Sequence, residues 1–199
     1  MSARDRRLQT FLDLTEEAVV SAAHTCEAVR PAASRIFASL RADTGTSNSA
    51  APESLPVRGA FDAALRLAEQ GPSPIPRLAS ALAELAPALV WRRRKGAEME
   101  SQNFFDGHAN AIIVGKDGIE LRDDVLVGVS LMAPEVRYPN HQHPPEEIYV
   151  SLAGGAWWKE GGLWHEPGAG GLVYNEPNVL HAMATDDKPL LAVWCLWLG

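Results

Sequence analysis

Residues Tyr138–Gly154 read YPNHQHPPEEIYVSLAG, and the reading of this 199-residue chain turns on them. In an extended strand, residues i and i+2 face the same way. The spacing therefore predicts His141 and His143 on one face of a strand, and Glu147 and Tyr149 on one face of the next. Pro144 and Pro145 supply the bend between the two pairs. A further histidine, His181, follows in PNVLH over residues 177–181. Three imidazoles and one carboxylate form a mixed N/O donor set suited to one divalent first-row ion: Fe(II), Mn, Co, Ni or Zn. His24, His108 and His165 have no such neighbours and are expected to be satisfied or solvent-exposed.

Outward from this stretch, short apolar runs alternate with Gly, Asp and Pro. The pattern predicts strands over 109–114, 125–132, 147–152, 156–159, 171–174, 179–184 and 190–198. Many short strands at regular spacing predict a sandwich or barrel. The first hundred residues differ. Leu8, Phe11, Leu12, Val19, Ala22, Ala23 and Cys26 follow helical spacing, which predicts a first helix over about 5–29. Pro31 fits the first turn of a second helix carrying Ile36, Phe37 and Leu40. Helical spacing resumes with Phe61, Leu65 and Ala68, then with Ile75, Leu78, Leu82, Leu85 and Leu89, with a break at Pro87. The run Arg92–Lys95 is read as cations complementing a helix C-terminus. Residues 43–56, DTGTSNSAAPESLP, have little to bury and are expected to form a mobile loop, a candidate lid.

Composition divides the chain at the same place. Residues 1–100 hold 13 Lys/Arg and 12 Asp/Glu, against 5 and 13 in residues 101–199, so the second part carries nearly all of the net charge of −7. It also holds 12 of the 16 glycines and five of the six tryptophans, whereas alanine is concentrated in the first part. The expected organisation is a helical region over 1–100 packing on a mainly β barrel over 101–199. An acidic chain with no clustered basic face argues against nucleic acid as partner. No stretch approaches the roughly 20 apolar residues of a membrane span. Two distant cysteines, Cys26 and Cys195, do not make a disulfide framework and are read as buried thiols in the cytoplasm. A small molecule is the expected partner, and a homodimer is compatible with the sequence.

The string His141-x-His143-x3-Glu147-x6-Gly154 resembles the first motif of the cupin superfamily, and Gly171-x5-Pro177-x3-His181 resembles the second. In the second, Asn178-Val179 replaces the usual glycine and the proline-to-histidine gap is one residue short. The resemblance implies a double-stranded β-helix barrel with one metal in its mouth. Tyr149 two residues past the glutamate, Tyr138 before the first histidine and the helical first half make the chain similar to the cupin dimethylsulfoniopropionate (DMSP) lyases of the DddQ type. That likeness implies metal ligands at His143, Glu147 and His181, with His141 close by or ligating, a catalytic tyrosine at Tyr149 and a second active-site tyrosine at Tyr138. The reaction implied is β-elimination of DMSP to dimethyl sulfide and acrylate.

The residue types suit that chemistry. A divalent ion would stabilise charge developing next to the substrate carboxylate and favour the phenolate of a nearby tyrosine. Aromatic faces attract a sulfonium as they do quaternary ammonium. Trp157, Trp158, Trp194, Trp197, Tyr138 and Tyr174 are the rings available, and Tyr138 is the one expected to serve. Because cupins host many functions, an Fe(II) dioxygenase or isomerase of a small carboxylate, and a ligand-binding cupin without turnover, are the alternatives. Oxygen consumption separates the first from a lyase, and tight acid binding without conversion marks the second.

Overall fold

The computed structural model describes residues 4–48 and 55–199. Among the described residues, five α-helices and eleven strands occur in the order α1 Arg6–Ala22, α2 Val29–Ala42, β1 Thr46–Ser47, α3 Phe61–Ala68, α4 Ile75–Leu85, β2 Trp91–Arg92, α5 Gln102–Gly107, β3 His108–Val114, β4 Glu120–Leu121, β5 Val125–Met132, β6 Arg137–His141, β7 Glu147–Ala153, β8 Ala156–Lys159, β9 Leu172–Asn175, β10 His181–Ala184 and β11 Leu190–Trp197. One sheet runs β1-β4-β3-β5-β11-β7-β9 with β2 added beside β3, and a smaller one runs β6-β10-β8. Neighbours pair antiparallel except β3 with β4. The helices precede a two-sheet β barrel, the fold class expected from the sequence.

Strand alternation divides the large sheet between two cores. Ile148, Val150 and Leu152 of β7, Leu191, Val193 and Cys195 of β11, and Val127, Val129 and Leu131 of β5 join the cluster built by α1–α4. Tyr149, Ala192, Trp194 and Leu196 point the other way, into a second cluster with Tyr138, Trp157 and Met183 of the small sheet. Both faces are covered, so all seven residues of β7 are buried. That is why these strands read as nearly continuous apolar runs. Gly154 and Gly155 carry the chain from β7 in one sheet to β8 in the other at φ 56° and 85°. A Cβ on Gly154 would lie 2.3 Å from the Pro189 carbonyl oxygen, so the glycine ending the first motif is required by space as well as by backbone conformation.

Several expectations are corrected. The first helix does not reach residue 29. It stops at Ala22, where the Thr25 hydroxyl donates to the Ala22 carbonyl (2.8 Å) and the Ser21 hydroxyl to the Ala18 carbonyl (3.0 Å). Such side-chain bonds compete with the helical ladder. Cys26, in the turn that follows, is only partly buried, whereas Cys195 is buried. The break at Pro87 is present as a 3-10 turn over Ala86–Ala88. The Arg92–Lys95 run does not follow a helix end: Trp91 and Arg92 form β2, paired with Ala111 and Asn110 of β3. Two residues are too few for a periodic signal.

The candidate lid over 43–56 includes residues 49–54, which lie outside the described residues. Before them, Thr46 and Ser47 pair with Leu121 and Glu120. Nearby, Arg4 grips Glu120 through two bonds of 2.7 and 2.9 Å. Among the described residues, no helix is long and apolar enough to cross a membrane.

Candidate metal centre and its cavity

β6, β7 and β10 bring the expected donors together. Glu147 opens β7 and His181 opens β10, while His141 closes β6 and faces His181 across the ladder. Nε2 of His143 lies 3.3 Å from Oε2 of Glu147, and Nε2 of His181 lies 3.5 Å from the same oxygen. Donor atoms of His143, Glu147 and His181 all lie within 4.8 Å of one another, close enough to share one ion. His141 stands beside this trio, its ring 4.1 Å from that of His181 and 6.3 Å from that of His143.

His143 is not on a strand with His141, as the two-residue spacing predicted. β6 ends at His141, and His143 sits in the loop beyond it. Two contacts hold it there. Its Nδ1–H donates to the Pro145 carbonyl (2.9 Å), and its own carbonyl accepts from the Asn178 N–H (2.9 Å). Asn178 adopts φ 61°, a left-handed conformation that asparagine tolerates better than most residues. The shortened second motif therefore still makes its turn.

Each histidine is held by the same device. His141, His143 and His181 donate Nδ1–H to the carbonyls of Pro139, Pro145 and Val179, all at 2.9 Å. With Nδ1 protonated, Nε2 of each neutral ring keeps a free lone pair, as metal ligation requires. Nε2 of His181 is buried with no hydrogen-bond partner. A buried nitrogen left open in this way fits a ligand atom better than a packing residue. The Asn175 amide donates to Oε2 of Glu147 (3.0 Å). The donor set thus suits a divalent ion.

Burial would raise the Glu147 carboxyl, but the hydrogen bond and charge of His143, with His181 and Asn175, hold it below the usual range. Burial would lower His143, and Glu147 outweighs it and leaves the imidazole raised. His141 is lowered to about 4, first by burial and then by His181. Burial lowers His181 as well.

A cavity of about 270 Å³ opens on this cluster. Tyr138 and Tyr149 both line it. Tyr138 and His141 are three apart and would face opposite ways on a regular strand, but an irregularity in the β6–β10 register turns both inward. Burial pushes Tyr138 up to about 12 and Tyr149 well above its ordinary value, the latter helped by Glu147.

Arg94, Asn110, Ser130 and Trp194 also line the cavity, none of them singled out as an active-site residue from sequence. The Ser130 hydroxyl donates to Oδ1 of Asn110 (2.7 Å), and the Asn110 amide lies 3.4 Å from the Tyr138 hydroxyl, as its donor. A polar residue on the inward parity of an otherwise apolar strand was the available signal for Asn110 and Ser130. His24 and His165 are exposed. His108 is buried and fully bonded. None of the three joins the cluster.

Two histidine-bearing strands and a buried glutamate converging inside a two-sheet barrel give the cupin arrangement, with donor atoms close enough to share one ion. The family model for dimethylsulfoniopropionate lyase matches residues 28–192, and the chain belongs to that family. It is 33% identical over 154 residues to the putative DMSP lyase DddL of Cereibacter sphaeroides, covering 76% of this chain and 63% of that protein. With the DMSP lyase DddQ of Ruegeria pomeroyi it shares 35% identity over 110 residues, 55% of this chain and 54% of that one. The chain thus spans between about half and two thirds of these relatives' lengths. The crystal structure of DddQ from Ruegeria pomeroyi superimposes with a TM-score of 0.72 at 25% identity, covering 97% of this chain and 92% of that one. A chain from the crystal structures of the DMSP lyases RdDddP and RnDddQII shares the fold, with a TM-score of 0.75 at 21% identity over 96% of this chain and 92% of that one.

Proposed function

We propose that the protein is a metal-dependent lyase that cleaves DMSP to dimethyl sulfide and acrylate by β-elimination, with Tyr149 as the base. The observation that carries this reading is the placement of Tyr138 and Tyr149 in one cavity with His143 and Glu147, whose donor atoms lie within reach of His181. The family match supports it, and so do the names of the DddL and DddQ relatives.

His143, Glu147 and His181, with His141 beside them, would hold the ion. Bound there, a divalent cation supplies Lewis acidity toward a substrate carboxylate and favours the phenolate of an adjacent tyrosine. Tyr149 depends on that help, because burial and Glu147 hold its hydroxyl well above the ordinary phenol value. As phenolate, it takes the proton from the carbon next to the carboxylate. The electron pair left behind forms the carbon–carbon double bond, and the carbon–sulfur pair leaves with dimethyl sulfide. The proton then passes from Tyr149 to solvent.

Tyr138 has the opposite task. Its oxygen accepts from Asn110 and its pKa stands at about 12, so it keeps a proton to donate toward the substrate. Its ring is surrounded: Phe104, His108 and His141 lie at centroid distances of 4.8, 5.4 and 4.6 Å, and the Arg94 guanidinium lies 5.5 Å away. The indole of Trp194 is therefore the better seat for the sulfonium, against the sequence expectation of Tyr138. The same reading makes a small zwitterion the partner, sets the protein in the cytoplasm and treats residues 1–100 as a layer packed on the 101–199 barrel.

The test is to strip the metal, reload with Fe(II), Mn, Co, Ni or Zn, and follow dimethyl sulfide and acrylate from DMSP. At least one ion restores turnover, and Tyr149→Phe lowers kcat by about 100-fold or more while retaining metal. No product with any of the five ions, or wild-type rates in Tyr149→Phe, sinks the proposal.

A further inference from the structure

The cationic run Arg92–Lys95 has one member that neither a helix end nor a solvated surface accounts for. Arg94 follows β2, and its backbone N–H donates to Nε2 of His108 (2.9 Å), which places its side chain at the cavity. Nη2 donates to Oε1 of Glu100 at 3.0 Å. Its guanidinium stands 5.5 Å from the ring centroids of both Phe104 and Tyr138. Its Nε–H is buried without any hydrogen-bond partner. Leaving one N–H of a guanidinium buried and unbonded is costly, and this group, ion-paired to Glu100 through Nη2, lines the cavity with His143 and Glu147.

We propose that Arg94 is the substrate's second carboxylate anchor and sets its orientation in the cavity. This rests on the reading of the site as one for a small zwitterion with its carboxylate toward the metal donors. A carboxylate has two oxygens, and only one need face the His143–Glu147–His181 cluster. The other meets Arg94 on the Tyr138 and His141 side of the cavity. A guanidinium N–H to a carboxylate is a charge-assisted bond with directional geometry. During proton loss, negative charge builds on both carboxylate oxygens, so a fixed cation at the second one stabilises the transition state too.

Placement of a cation here has a corollary for the other end of the substrate. A sulfonium is repelled from the Arg94 wall, so the molecule is turned with its sulfur toward Trp194, Leu126 and Leu196. Arg94 thereby selects β-substituted propionates by their carboxylate and rejects the reversed pose. Neutral analogues lose this anchor.

Calorimetric binding of acrylate and of acrylamide, its uncharged counterpart, to the metal-loaded enzyme tests the proposal without turnover. Wild type binds acrylate in preference to acrylamide. Arg94→Met binds acrylate at least about 10-fold more weakly, the size of one lost charged hydrogen bond, with acrylamide affinity and metal content unchanged. In DMSP turnover its KM rises. Arg94→Lys, which keeps the charge but not the Nε–H, falls between the two and carries the test if Arg94→Met does not fold. Equal acrylate affinity in wild type and the variants, or an equal loss for acrylamide, overturns the anchor. Acrylate selectivity that depends on Arg94 in a protein that leaves DMSP intact upholds the anchor and removes the lyase reading. DMSP cleavage with acrylate binding indifferent to Arg94 does the reverse.

Discussion

His108 shows how tightly single residues are fixed around this site. Its Nδ1–H donates to the Phe104 carbonyl, its Nε2 accepts from the Arg94 N–H (2.9 Å), and its ring stacks on Phe104 at 3.7 Å. Only the neutral tautomer satisfies both bonds. Burial, opposed by the Phe104 bond and assisted by Arg94 and Arg93, lowers its pKa to about 4. A lowered histidine contributes stability that is present above its unfolded value of about 6.5 and lost as pH falls toward 4. Glutamine can make the same two bonds without titrating. The stability advantage of wild type over His108→Gln should therefore shrink by on the order of 2 kcal/mol between pH 7 and 4, as read from denaturant melts. A constant difference would show that His108 does not titrate as described. Gly128 is fixed by space. A Cβ there would lie 2.3 Å from Cζ2 of Trp194 and 2.5 Å from the Ala111 carbonyl oxygen. Gly128→Ala should cost about 1–3 kcal/mol and shift tryptophan emission as the indole leaves the cavity wall. An unchanged spectrum and melting point would refute that.

Among the elements, the turn before β10 makes the sharpest prediction. Asn178, at φ 61°, both turns the chain and donates its N–H to the His143 carbonyl. Asn178→Gly should fold and bind metal as wild type does, whereas Asn178→Val should lose about 1–2 kcal/mol and bind metal more weakly. Metal titrations of the two variants decide it, and equal affinities would separate the turn from the site. This turn also marks the limit of what the sequence discloses. β5 and β8 are legible to the residue because Val125–Met132 and Ala156–Lys159 are apolar runs bounded by turn residues. His143, Glu147 and His181, with His141 beside them, are legible because their spacing follows a recognisable motif. The position of His143 is not, since a loop has no period and its geometry comes from a turn some 35 residues later in the chain. Arg94 is hidden for a related reason. Its setting depends on the two-residue strand β2, on the pairing of that strand with β3 and on His108, contacts that local pattern does not encode. The end of α1 at Ala22 is equally silent, because apolar spacing continues through Cys26 while hydroxyl bonds to the backbone end the helix.

At the scale of the whole molecule, the helices and the barrel share one sheet. Ile148, Val150, Leu191 and Val193 are 0% exposed only because α1–α4 cover them. At roughly 25 cal/mol per Å² of apolar area, uncovering that face is more than a barrel of this size can absorb. A chain cut to residues 101–199 should therefore aggregate or lack a cooperative melt, and a soluble fragment with a sharp transition would contradict this. The two-sided burial of β7 also has a use for anyone redesigning the protein. From Glu147 to Val150 the strand alternates, Glu147 and Tyr149 facing the cavity side and Ile148 and Val150 the helices; past Ser151, where the pairing with β11 shifts register, Leu152 and Ala153 both join the helix-side core. On β11 the parity is reversed, with Ala192, Trp194 and Leu196 facing inward. A library meant to reshape the cavity can thus be confined to Ala192, Trp194 and Leu196 of β11, with Glu147 and Tyr149 held fixed and the helix-facing positions of both strands left untouched.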